Sequence, residues 1–284
     1  MALVIVAAFF MAVLFLLFKV FENRGVALLP AIVVNYFAAF LCGTIVAPWW
    51  QAGDLMPLLW PTLVLGFLFI TIFYLTGLSA QRAGVAATAV ASKMSLVLTV
   101  LFAVYMYGDR PGLWGWTGIV LALAGVVLAS WQPTRIAVRG AWILPSILFL
   151  GNAVIDITIN WVQRMHITEA TEAVFPTLVF ACAGMLGTLW LLRGRDRSAF
   201  SLPSTWIGGI VLGIMNYAAL YFVVQALAYG GMPSSSVYPL VNIVVILFGT
   251  GLSMLLFRER PRAVQYAGIT CSVVALGLIL FALQ

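Results

Sequence analysis

The chain has 284 residues, of which 64% are hydrophobic and 8% charged, with a formal net charge of +6. Soluble domains carry about 25% charged residues, so this much apolar surface needs lipid as its main solvent. The positive charge does not point to nucleic acid, because no basic cluster adjoins an aromatic platform for bases.

A bilayer core needs about 20 mainly apolar residues per helix. The sequence divides into ten such runs, 2–20, 27–47, 58–80, 86–106, 113–131, 141–163, 172–192, 204–228, 235–257 and 263–283. Helix breakers separate them: Pro48, Asp109-Arg110-Pro111-Gly112, Gln132-Pro133, Pro203, Gly230-Gly231 and Glu259-Arg260-Pro261. The first run lacks a basic region before it and a small-residue cleavage site after it, so it reads as a retained helix rather than a signal peptide.

Taken in chain order, the spans carry distinct polar residues. Span two holds Asn35, and span three holds Thr71, Tyr74 and Gln81. Span four carries Thr88, Ser92, Ser95 and Thr99 along one stripe, with Lys93 beside it. Span five has small residues four apart, Gly118 and Ala122, a spacing that lets helix backbones approach closely. Span six places Asn152, Asp156, Asn160 and Gln163 on one helical face, bordered by Trp161. Glu172 stands near the start of span seven. Span eight carries Asn216, Tyr217, Tyr221 and Gln225. Span nine opens with Ser234-Ser235-Ser236 and follows with Tyr238, Pro239 and Asn242, the pattern of a capped start and a kink one turn in. Span ten repeats the small-residue spacing with Gly268 and Ser272.

A charge in the hydrocarbon core costs at least about 2.5 kcal/mol and marks a functional candidate. Lys93 and Asp156 are the two charges well inside spans. They admit two readings. Either they form a buried ion pair that locks two helices, or Lys93 receives a substrate carboxylate while Asp156 receives an ammonium or a proton. A polar stripe within the bilayer must face protein or water. One shared polar cavity accounts for all the stripes, lined by Lys93, Asp156, Asn152, Asn160, Trp161, Tyr74, Tyr221, Asn216, Tyr238, Asn242, Asn35 and Ser95. Isolated Ser and Thr residues read instead as interhelical hydrogen-bonding groups.

The segment around spans three to five resembles that around spans eight to ten. Leu65-Gly66 matches Leu212-Gly213, Tyr74 matches Tyr221, Asp109-Arg110-Pro111 matches Glu259-Arg260-Pro261, and Gly118 matches Gly268. The expected halves are 1–135 and 136–284. Five spans per half force the second copy into the membrane upside down, an arrangement that recurs in secondary transporters. Eleven basic residues (Lys19, Arg24, Arg82, Arg135, Arg139, Arg193, Arg195, Arg197, Arg258, Arg260 and Arg262) fall on one side, and Arg110 and Arg164 on the other. The positive-inside rule places the eleven in the cytoplasm and both termini outside.

Cys42, Cys182 and Cys271 all lie in apolar runs and support neither a disulfide framework nor a metal site. The single histidine, His166, is in a loop, and no hydrolase, zinc or nucleotide-binding motif is present. Most tryptophans fall at span ends, as an aromatic belt requires.

With these motifs the sequence resembles the drug/metabolite transporter superfamily, in particular its EamA-type ten-helix exporters. The likeness rests on YMYGDRP from Tyr105, LLFRERP from Leu255, the glycine-bearing spans after each, and SSSVYPLVNIV from Ser234. Ser92-Lys93 stands where the pattern has a proline. The resemblance implies an all-α inverted five-plus-five bundle around a central cavity, with spans five and ten away from the substrate path. It also implies cytoplasmic termini, against the charge bias. The expected protein is a secondary active transporter in the plasma (inner) membrane that exports amino acids or related metabolites by alternating access. Export of lipophilic cations or drugs is the alternative, and a membrane enzyme lacks a catalytic constellation. The expected partners are a small-molecule solute, the lipid bilayer and protons as a candidate coupling ion. No cofactor and no nucleic acid are expected, and the chain is expected to be a monomer or weak dimer.

Overall fold

Lipid offers a backbone no hydrogen-bond partner, so a buried apolar segment must satisfy its own N–H and C=O groups as a helix. The computed structural model describes residues 1–107, 112–129, 143–165, 171, 174–194, 196–229, 234–258 and 261–282. The helices are α1 (Ala2–Arg24), α2 (Leu28–Val46), α3 (Leu59–Arg82), α4 (Val85–Lys93), α5 (Leu96–Tyr107), α6 (Leu113–Ala129), α7 (Ile143–Met165), α8 (Phe175–Arg193), α9 (Pro203–Tyr229), α10 (Ser234–Phe257) and α11 (Ala263–Ala282). Single 3-10 turns occupy Trp49–Gln51 and Met56–Leu58, and a longer one Asp196–Ser201. Among the described residues, seven helices are long and apolar enough to cross a membrane. The chain is an all-α polytopic membrane protein. The acid-Arg turns Asp109-Arg110 and Glu259-Arg260, together with Gln132-Pro133, His166, Glu172 and Gly230-Gly231, lie outside the described residues.

The helices gather into two compact units, each drawing on both halves of the sequence. Unit one comprises Met1–Lys19, Leu78–Ala153 and Ala218–Gln284, and unit two comprises Val20–Gly77 and Val154–Tyr217.

Unit one has two apolar clusters. In the first, Val4, Ala8 and Phe15 of α1 pack with Ala89 of α4, Val223 of α9 and Val241 and Val245 of α10. In the second, Val90 of α4 packs with Ile119 and Ala122 of α6, Ile246 of α10 and Ala275 and Ile279 of α11. The predicted small-residue helices α6 and α11 lie antiparallel against one another. Gly118 faces Ala275 and Ile279, Gly125 faces Ser272 and the Gly268 carbonyl, and Gly268 faces the Leu128–Ala129 backbone. A Cβ built on Gly268 would meet the Ala129 nitrogen and stand 2.7 Å from the Leu128 carbonyl carbon, so no side chain fits there. α4 and α10 also run antiparallel: Gly249 meets Ala89, and Asn242 meets Lys93.

In unit two, α2 and α8 are antiparallel, with Gly43 against Thr177, Phe37 against Gly184 and Val33 against Gly187. α3 and α8 are parallel, with Gly66 against Cys182 and Ile70 against Gly187. α2 and α9 are parallel and in backbone contact. A Cβ on Gly209 would stand 2.6 Å from the Ala31 oxygen, and one on Gly213 would stand 2.5 Å from the Asn35 oxygen.

Candidate functional site

Span four, expected as one helix over 86–106, consists of two helices. α4 ends at Lys93, α5 begins at Leu96, and Met94 and Ser95 form the turn between them. The cause is visible bond by bond. In an unbroken helix the Ser92 carbonyl would accept from Leu96 N–H and the Lys93 carbonyl from Val97 N–H. Here the Ser95 hydroxyl donates to the Ser92 carbonyl at 2.8 Å. Val97 N–H turns to the Met94 carbonyl at 3.0 Å, and Leu98 N–H to the Ser95 carbonyl at 2.9 Å. The Lys93 carbonyl accepts instead from the Asn242 amide of α10, at 3.3 Å. A short side chain competing for backbone carbonyls opens the turn, and a second helix satisfies the carbonyl that is released.

The Lys93 side chain is half-buried, and its Nζ lies 3.6 Å from the Met11 sulfur of α1. The Ser92 hydroxyl is buried at the same break and has no hydrogen-bond partner among the described residues. On α10, Pro239 stands inside the helix three residues before Asn242. Proline removes a helical donor and crowds the preceding turn. Unit one therefore brings the broken span and a proline-bearing helix together at Lys93, Ser95 and Asn242.

Other expected residues of unit one lie elsewhere on its helices. Asn152 donates to the Leu148 carbonyl of its own helix at 2.8 Å. Tyr221 is 37% exposed and edge-on to Phe222, with ring centroids 5.5 Å apart. Tyr238 lies on the first turn and a half of α10, and its side chain is outside the described atoms.

Unit two holds a second polar cluster. Asn35 is fully buried where α2 and α9 touch, and its Oδ1 accepts from the Asn216 amide at 3.2 Å. Its own amide points to the Ile32 carbonyl at 3.4 Å. Next to it, Tyr36 is buried among Phe73 and Phe180, with centroids 5.7 and 6.0 Å away. Tyr74 packs edge-on against Trp190 at 5.2 Å. Trp161 is 37% exposed and rests on Trp60 at 5.8 Å, alongside a tryptophan from a span end. Asp156 is half-buried in α7, and the Asn160 and Gln163 side chains lie outside the described atoms. Several hydroxyls simply bond back to the carbonyl four residues earlier on their own helix: Thr76 at 2.8 Å, Thr158 at 2.7 Å and Thr188 at 2.8 Å.

Sequence reasoning missed Met11, an apolar residue in an apolar span, and did not single out Ser92 from its stripe. Among the described residues no group of three or more His, Cys, Asp or Glu side chains is placed to hold a metal ion. Cys42, Cys182 and Cys271 are free thiols.

Long apolar helices, with one span broken beside a lysine and an asparagine pair buried between two others, define a membrane-embedded protein. Residues 1–131 match the EamA-like transporter family. An uncharacterized protein of Haemophilus influenzae is 28% identical over 218 residues, covering 75% of this chain and 72% of that one. The crystal structure of another protein aligns over 96% of this chain and 95% of its own with a TM-score of 0.59 and 16% identity, a likeness of fold. The chain is thus a transporter-like membrane protein with an EamA-like first half, and that match is to a non-enzymatic family.

Proposed function

We propose that the protein is a secondary active transporter that exports a small solute, an amino acid or related metabolite, by alternating access. The observation that carries this reading is the interruption of the fourth span at Lys93. Broken membrane helices present charged ends and unpaired backbone groups to a solute, and irregular backbone at that depth persists only where it is buried in protein or lines a path. Lys93 supplies a cation for a carboxylate, Ser95 and Asn242 hold the break open, and Asp156 receives an ammonium or a proton.

The helix directions support ten spans arranged as two inverted five-helix repeats, 1–135 and 136–284. A chain that crosses at every span makes odd and even spans antiparallel. The contacts agree: spans five and ten (α6, α11), four and nine (α4, α10) and two and seven (α2, α8) are antiparallel, whereas spans two and eight (α2, α9) and three and seven (α3, α8) are parallel. The charge bias of the loops places the eleven basic residues in the cytoplasm and both termini outside.

The test is counterflow of radiolabelled amino acids in proteoliposomes with Lys93→Met and Asp156→Asn. Loss of flux in both supports a zwitterionic solute. Loss with Asp156→Asn alone, together with transport of lipophilic cations, assigns the protein to cation export. Full activity in both variants removes these residues from the mechanism.

A further inference from the structure

A recess of about 270 Å³ opens at one end of unit one, lined by Lys19, Gln81, Arg82, Gly84, Ala129 and Gln265 among others. It sits at the start of α4, whereas the break of the span is at the end of that helix, and it plays no part in the proposed transport step. Two cations line it, Lys19 and Arg82. The Lys19 ammonium is fixed rather than swinging in water: it donates to the Gln81 carbonyl at 3.1 Å, while the Gln81 amide donates back to the Phe18 carbonyl at 3.1 Å. Arg82 is exposed at the C-terminal end of α3.

The α3–α4 turn that forms the wall is tightly held. Ala83 N–H reaches the Ser79 carbonyl at 2.7 Å, and the Thr88 hydroxyl bonds both the Gly84 carbonyl and the Ser79 hydroxyl at 2.8 Å. Gly84 has φ 92°, a conformation that side chains disfavour. The turn aims the start of α4 at the recess, where Ala86 and Ala87 complete the lining. First-turn amides lack intrahelical acceptors and carry the positive end of the helix dipole.

We propose that this recess binds a phosphate group at the membrane surface, with Lys19 and Arg82 as its cations and the α4 start as a further positive wall. Span ends lie at headgroup depth, and basic pockets between helices on the positively charged side suit anionic headgroups. The group can belong to a lipid or to a soluble phosphate, and the experiment separates the two.

Native mass spectrometry of the purified full-length protein is run with phosphatidylglycerol and with phosphatidylcholine. The wild type is expected to retain phosphatidylglycerol preferentially. Arg82→Gln should lower that occupancy about fivefold, one surface cation's contribution, and Arg82→Lys should largely restore it. Lys19→Gln also releases α1 from α3, so the exposed Arg82 carries the test, with an unchanged melting temperature in neutral lipid as the folding control. Displacement of the lipid by sodium phosphate, and not by sodium chloride at equal ionic strength, assigns the recess to soluble phosphate; no displacement assigns it to the lipid. Equal retention of the two lipids by wild type, or unchanged retention in Arg82→Gln, overturns the proposal. Because lipid retention rather than flux is read, the outcome is independent of the transport reading.

Discussion

Replacing Asn242 with leucine removes one amide while nearly preserving side-chain volume, so it tests the break in span four with little disturbance of packing. The lost bond is 3.3 Å long, at the weak end of N–H···O geometry. Interhelical hydrogen bonds in membrane proteins average about 0.6 kcal/mol and reach about 1.7 kcal/mol. Both Asn242 and Lys93 are half-buried, which keeps the cost of the orphaned carbonyl near the low end of about 1–3 kcal/mol. The expected loss of stability is therefore about 0.5–1.5 kcal/mol, measured by unfolding in mixed detergent–SDS micelles. Ser95→Ala acts in the opposite sense, because it frees the Ser92 carbonyl for Leu96 N–H and lets the helix close. Its expected effect on stability is neutral or a gain of a few tenths of a kcal/mol, with reduced flux. The two side chains hold adjacent carbonyls of one turn, so the double variant should depart from additivity by about 0.5 kcal/mol or more. Additivity within about 0.3 kcal/mol, with flux unchanged in Ser95→Ala, would show that the break is neither a unit nor needed.

Three further outcomes follow from the packing. Gly268→Ala should destabilise by about 1–3 kcal/mol, because its Cβ meets the α6 backbone, whereas Gly277→Ala on the same helix meets nothing within 4 Å and should be neutral or slightly stabilising; paired SDS unfolding curves decide this. Asn35→Leu should cost about 1–2 kcal/mol by orphaning the Asn216 amide, and Asn35→Leu with Asn216→Leu should recover part of it in the same assay. Gly84→Ala, forced to φ 92°, should cost about 1–2 kcal/mol, read as a lower melting temperature, whereas Gly251→Ala, with open space around its Cβ position, should leave it unchanged.

Much of the helical layout was legible because lipid makes long apolar runs and their breakers nearly sufficient to mark spans. That α6 and α11 are closely packed helices was also legible, since Gly118, Ala122, Gly268 and Ser272 announce a close approach, but nothing in that spacing says that the two pack on each other. The interruption at Lys93 was not legible. Ser92-Lys93-Met94-Ser95 contains neither proline nor glycine, and what stabilises the open turn is an amide 149 residues away in sequence. Asn35 and Asn216 were each visible as polar residues in apolar spans, but their pairing depends on Gly213 bringing α9 onto the α2 backbone. The recess at Lys19 was hidden for a similar reason: it is assembled from five helices whose ends look, one at a time, like ordinary membrane-surface residues.

The antiparallel seam between α6 and α11 has a consequence for how the molecule is made. α6 emerges from the ribosome well before α11, which carries the surface that covers Gly118 and Gly125. Until α11 arrives, a strip of small residues stands open to the bilayer while α7 to α10 are threaded in. Insertion of α11 therefore closes unit one, and a chain stalled before residue 263 is left with the Gly118, Gly125 and Gly268 contacts unmade, a natural handle for membrane quality-control proteases.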